Sequence, residues 1–230
     1  VGDDSEPQRH FDADYHERAI LRDGSEVHLR MIGSADRELL SAGFERMSPE
    51  SRYRRFFSLK KTLTERELDY LTDVDSENHV AIGAGRYLPD GTEQGLGVAR
   101  LVRLADCPDT AEAAIAVVDD AQGIGLGTLL FQRLVAAAAE RGIDRIRSEV
   151  LVSNAPMQDM LRHLPLAATR HVDNGVVTTE FELPDLLPTH PLDQPPRDHG
   201  GYKLFKLAAR GLIQLERMFP WLRRHADDDG

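Results

Sequence analysis

A chain of 230 residues, 41% hydrophobic and 29% charged, has enough material for one sizeable folded domain and an appendage. Its net charge of −11 argues against general affinity for nucleic acid or an anionic membrane. It leaves plain solubility or a cationic partner, such as a lysine-bearing protein surface. The single Cys107 cannot close an intrachain disulfide, and the acidic opening residues lack a leader's apolar core. Both point to a reducing, cytoplasmic setting. No apolar run is long enough to span a bilayer, and the nine histidines show no ligand spacing, so we expect neither a membrane span nor a metal.

Residues 1–20 are polar and read as a flexible arm. Val27, Leu29 and Met31 alternate with Glu26, His28 and Arg30, the period of a half-buried strand. Residues 36–47 read as a helix with Leu39, Leu40 and Phe44 inward. Ser48-Pro49 supplies an N-cap and first position for a second helix. That helix carries a basic face of Arg52, Tyr53, Arg54 and Arg55, solvated or bordering substrate, with Phe56 and Phe57 expected in the core. Thr64 and Glu67 form a capping box opening a third helix to Leu71.

The period then changes. Residues 79–86 and 97–104 read as strands around the turn Pro89-Asp90-Gly91, and residues 112–118 as the next. A helix over 127–141 stops at Gly142, followed by a strand over 143–152 and a helix over 155–163. A hairpin over 166–172 and 176–183 turns at Asn174-Gly175. This order, β-α-α-α-β-β-β-α-β-α-β-β, predicts an α/β fold with a mixed sheet rather than a doubly wound one. Residues 185–200, flanked and filled by prolines, read as an extended linker. Within 201–225, Phe205, Ala208, Leu212, Leu215, Phe219 and Leu222 form an apolar stripe beside six basic residues and one acid, Glu216. This basic helix is expected to dock on its own domain or a second protomer, ahead of a membrane surface. Residues 226–230 form an acidic tail.

The most chemically informative stretch is AAIAVVDDAQGIGLG, residues 113–127. Glycines at 123, 125 and 127 allow close backbone approach, and unpaired N–H groups at the following helix start favour an anion. A diphosphate cradle and a strand-to-helix turn that merely needs glycine both fit. A P-loop needs a lysine where Gly127 directly precedes Thr128. The dinucleotide fingerprint needs G-x-G-x-x-G and finds G-x-G-x-G; Glu149 has a suitable spacing, but no first βαβ unit precedes the turn. The pattern met is Q-x-x-G-x-G, through Gln122, Gly125 and Gly127.

That pattern resembles the acetyl-CoA motif of the GNAT acyltransferases, and the resemblance extends over residues 21–184. Asn154-x-x-Met157, Ala111-Glu112 at the strand start, the Asp119-Asp120-x-Gln122-Gly123 turn and the helix MSPESRYRRFF (residues 47–57) are similar to segments of bacterial protein-lysine acetyltransferases. The resemblance implies a GNAT fold with a C-terminal helical appendage and acetyl-CoA as cosubstrate. The diphosphate would be held by Gln122, Gly123, Ile124, Gly125, Leu126, Gly127 and Thr128. Val117 or Val118 would offer a backbone N–H to the thioester where a bulge splays the strand from the next, and Asn154 and Met157 would meet the pantetheine arm. Glu112 would serve as general base, because lysine is protonated at neutral pH and must lose a proton before attack.

Alternation places Glu112, Ala114, Ala116 and Val118 on one strand face, where small side chains leave a hollow. An exposed glutamate at a strand end is the other reading, as an N-cap is for Asn154. The chain departs from the family at Leu164-Pro165-Leu166, where a Gly-Phe is usual, and lacks the tyrosine that protonates the thiolate; His163 lies in that neighbourhood. The expected activity is acetyl transfer to protein lysines, with acyl-CoA synthetases as candidate acceptors. Transfer to a small amine and a non-catalytic acyl-CoA-binding regulatory module are the alternatives.

Overall fold

The computed structural model describes residues 9–183. The linker, basic stripe and acidic tail read from the sequence lie outside those residues. Eight strands form one sheet: β1 (His16–Ile20), β2 (Glu26–Met31), β3 (His79–Tyr87), β4 (Glu93–Arg103), β5 (Thr110–Val117), β6 (Arg145–Leu151), β7 (Ala167–Asp173) and β8 (Val176–Glu182). Their spatial order is β1-β2-β3-β4-β5-β6-β8-β7. Every neighbouring pair is antiparallel except β5–β6. The helices are α1 (Arg37–Glu45), α2 (Pro49–Phe56), α3 (Glu65–Thr72), α4 (Leu126–Ala139) and α5 (Ala155–Arg162).

A parallel pair needs a crossover, and α4 supplies it between β5 and β6. Its Leu130, Phe131 and Leu134 are fully buried, each contributing about 1.5–3 kcal/mol relative to exposure. Alternation along β5 sends Ala113 and Ile115 into this core, while Ala114 and Ala116 face Leu39 and Phe44 of α1. A bulge moves the β3–β4 register from Ala84↔Gly97 to Gly85↔Gly95. Accordingly, a Cβ on Gly97 would meet Leu130 of α4, and one on Gly95 would meet Leu39 of α1.

The expected N-terminal arm is corrected for its described part. Residues 16–20 pair with β2, and Phe11 and Tyr15 are buried in the core. Glu17 binds the buried Arg133 of α4 and accepts from Tyr15 Oη at 2.6 Å; burial, then the Glu17 charge, push the Tyr15 phenol up. As an edge strand with His16, Arg18 and Ile20 exposed, β1 has no apolar alternation to announce it. Phe57 is corrected too. It ends α2 in the left-handed region at φ 53° and is 40% exposed, so it leaves the helix's buried face. The Thr64/Glu67 capping box and the Asn174-Gly175 turn, the latter with both residues at positive φ, stand where the sequence places them.

Candidate functional site

Between the end of β5 and the start of α4, Gly123 and Gly125 take φ of 78° and 94°, conformations that a Cβ disfavours. The first bond of α4 runs from Leu129 N–H to Gly125 O at 3.0 Å, and no side chain caps the helix. The N–H groups of Leu126, Gly127 and Thr128 therefore lack intrahelical acceptors, at the positive end of a helix dipole. Gly127 and Thr128 line a cleft of 520 Å³, within the range of cofactor-sized sites. Ile124 and Leu126 offer backbone alone: Leu126 is fully buried, Ile124 packs on the core and its carbonyl accepts from Arg22 N–H.

The turn is fixed by α2. Asp119 accepts from Ser48 N–H and Ser48 Oγ, both at 2.7 Å, and from Ser51 Oγ at 2.9 Å. Burial pushes the Asp119 carboxyl up, but these bonds outweigh it and hold it below the usual carboxylate range. Asp120 takes both oxygens to Arg46 at 2.8 Å. Gln122 Nε2 donates to Ser51 Oγ at 3.2 Å and to Val117 O at 3.0 Å. Gln122 thus ties β5 to α2, a structural task for the residue expected at the diphosphate. Arg52 likewise serves α1, donating to the carbonyls of Phe44, Glu45 and Met47.

The cleft opens because β5 and β6 pair at only three positions, ending at Glu112↔Arg147. The buried Ser148 marks the fork, donating to Ala113 O at 3.3 Å. The bulge expected beside β6 lies instead between β3 and β4. Val118 N–H bonds Leu96 O, so strand alternation turns the Val117 N–H away from β4, toward the opening. Val118 is corrected as a cleft residue. It is 4% exposed, its N–H is spent on Leu96, and its carbonyl accepts from Ala121. Glu112 is exposed and lines the cleft, as Glu149 does.

On the far side, α5 presents Asn154, Met157, Met160 and His163. Asn154 caps α5, accepting from Met157 N–H at 3.4 Å, while its amide nitrogen has no partner among the described residues. His163 Nδ1 pairs with the Asp159 carbonyl at 2.7 Å, which makes Nδ1 the protonated nitrogen.

A family model described as acetyltransferase (GNAT) family matches residues 37–164, more than half of the chain. The chain belongs to the GNAT acetyltransferase family. It is 34% identical over 177 residues to the acetyltransferase Pat of Mycolicibacterium smegmatis, covering 74% of this chain and 50% of that protein. An acetyltransferase of Pseudomonas aeruginosa is 30% identical over 156 residues, covering 67% of this chain and 82% of the relative. Among solved structures, the GNAT domain of S. lividans PAT aligns with a TM-score of 0.68 at 31% identity, covering 77% of this chain and all of that one. The chain spans about half the length of the mycobacterial relative.

In this GNAT chain the residues present fit a coenzyme A diphosphate. Gly125 brings its backbone close enough to Arg22 that a Cβ would lie 3.3 Å from Nε, and three helix N–H groups are unspent beside that guanidinium. Arg22 has no local signature, because nothing in the sequence links a residue before β2 to a turn after β5. Ser51 and Arg55, from the helix over residues 47–57 that the sequence sets beside substrate or solvent, also line the cleft, as does Glu149. Among the described residues no group of three metal-binding side chains occurs, and no helix is long and apolar enough to cross a membrane.

Proposed function

We propose that the protein transfers an acetyl group from acetyl-CoA to lysine side chains of proteins, by direct attack of the amine. When bound, acetyl-CoA supplies the activated thioester. The observation that carries this reading is a single cleft with unspent helix N–H groups at one end and the Glu112 carboxylate along the same strand's length. The N–H groups of Leu126, Gly127 and Thr128, with Arg22, hold the diphosphate, and the Asn154 amide nitrogen donates to the pantetheine arm. Val117 N–H, turned toward the opening, would donate to the thioester oxygen and stabilise charge that develops there. Glu112 takes the ammonium proton, directly or through one water, so that a neutral amine attacks.

Acceptance of protein lysines rests on the resemblance of residues 47–57 and of the Glu112 strand to segments of protein-lysine acetyltransferases, and on similarity to the mycobacterial Pat and the S. lividans PAT domain. The test is incubation with labelled acetyl-CoA and a lysate, with modified residues located by mass spectrometry. We expect labelled lysines on a small set of proteins. Labelling confined to small amines would overturn the protein-acceptor reading, and none at all would overturn catalysis.

A further inference from the structure

Behind the cleft lies a cavity of 80 Å³ between α1, α2 and the sheet. Its floor is stripped of side chains by Gly83, Gly95, Ala114 and Ala116, the hollow anticipated on the Glu112 face of β5. Three guanidiniums line it; Arg30 is paired with Asp36 and Glu93, whereas Arg55 and Arg100 are not fully satisfied. Arg100 is 4% exposed; it donates to Leu71 O at 2.6 Å and pairs with His79, but its buried Nε has no hydrogen-bond partner. Arg55, part-buried, makes no hydrogen bond or ion pair among the described residues, and its guanidinium lies 5.1 Å above the Phe56 ring.

Burial lowers both pKa values, with that of Arg100 down to about 10, and the Arg55 charge adds to the effect on Arg100. Leaving buried charge unpaired is costly, so such a group favours an anionic partner. The carboxylate that lines the cavity, Glu93, is already bonded to Arg30 and His28. Arg55 lines both this cavity and the main cleft, on whose wall Glu112 stands, and the Glu112 charge acts on it.

A groove with a base carboxylate on one side and an undersatisfied guanidinium pair on the other is complementary to a molecule carrying both an ammonium and an anion. We propose that Arg55, backed by Arg100, is an anion subsite of the acceptor groove that receives a carboxylate borne by the amine substrate. The planar fork of Arg55 matches a carboxylate in two parallel bonds. The cavity, against the roughly 10–15 Å³ that one water needs on the same measure, has room for a carboxylate. The carboxylate comes either from an acidic residue flanking the acceptor lysine or from the α-carboxylate of a free amino acid. This inference rests on the acyl-transfer reading and on Glu112 marking the amine's position.

The test measures equilibrium binding, in the presence of coenzyme A, of two matched pairs. One is a lysine peptide flanked by aspartate against its asparagine counterpart; the other is lysine against lysinamide. We expect the carboxylate member of at least one pair to bind about tenfold or more tighter, the range of one charge-assisted bond. The pair that discriminates identifies the source of the carboxylate. Arg55→Gln should reduce the ratio to near one, and Arg55→Lys should leave an intermediate ratio, with thermal melts confirming that each variant folds. Glu112→Gln should keep the binding preference while losing turnover, so failure of the base assignment is read separately. No preference in either pair for the wild type, or a preference that survives Arg55→Gln in a folded variant, would overturn the proposal.

Discussion

On one side of the cleft, Asp119, Asp120 and Gln122 are tied to Ser48, Ser51 and Arg46 of the α2 side by a closed set of polar bonds. On the other, α5 stands on the buried Leu161 and Leu164 and turns Met157 and Met160 toward the opening. Two Gln158 bonds to Leu151 O and Val152 O are its main polar attachment. Directional bonds fix distance and angle, whereas thioether packing adapts to whatever is laid against it. The polar wall therefore carries the groups whose placement decides chemistry, the anion turn and the β5 end. The methionine wall is suited to the flexible arm of a carrier.

The largest expected effect separates chemistry from binding. Glu112→Gln should lower kcat by roughly 10²–10⁴-fold with little change in acetyl-CoA affinity, measured by single-turnover kinetics and calorimetry. A variant that retains turnover would move the base elsewhere, with Glu149 the next carboxylate on the cleft. Next comes the anion turn. Gly125→Ala forces a Cβ onto a backbone at φ 94° and 3.3 Å from Arg22 Nε. It should cost about 1–2 kcal/mol of stability and roughly tenfold in acetyl-CoA affinity.

A third variant probes the polar wall's dependence on pH. Because the folded pKa of Asp119 is depressed, its share of stability is complete above the unfolded value of about 3.9 and is lost as pH falls through the folded value. Asp119 is exposed, so solvent screening trims its contribution; Asp119→Asn should cost about 1 kcal/mol at pH 7 and flatten the acid side of the stability curve, read from denaturant titrations across pH. An unchanged acid slope would mean that other carboxylates carry it. The smallest effect belongs to the methionine wall. Asn154→Ala removes a cap whose bond is already 3.4 Å long, so about 0.5–1 kcal/mol is expected, with a few-fold rise in the KM for acetyl-CoA. A larger loss than that of Asp119→Asn would invert the ranking of the two walls.

Features set by a few neighbouring residues are legible in the amino-acid order alone. Glycine at 123 and 125 signals positive φ because the alternative is a clash within one residue, and Ser48-Pro49 and Thr64-x-x-Glu67 announce helix starts through bonds three residues long. The hollow on β5 is legible as well, since strand alternation needs only the sequence Glu112, Ala114, Ala116. Features that depend on partners distant in the chain are not. Residues 16–20 carry no apolar alternation and become a strand only because β2 offers its edge. Phe57 reads as buried by composition and is exposed by a left-handed cap.

The sequence by itself determined the glycine turn, the helix starts and the alternation that sets Glu112 beside small residues, because short-range sterics and hydrogen bonding decide them. Only the tertiary structure decided that Gln122 braces β5 against α2 at the cleft wall, that Arg22 stands at the turn, and that Arg55 and Arg100 share one cavity. Charges are placed by the packing of whole elements against one another, and no local pattern encodes which distant guanidinium will be left without a partner.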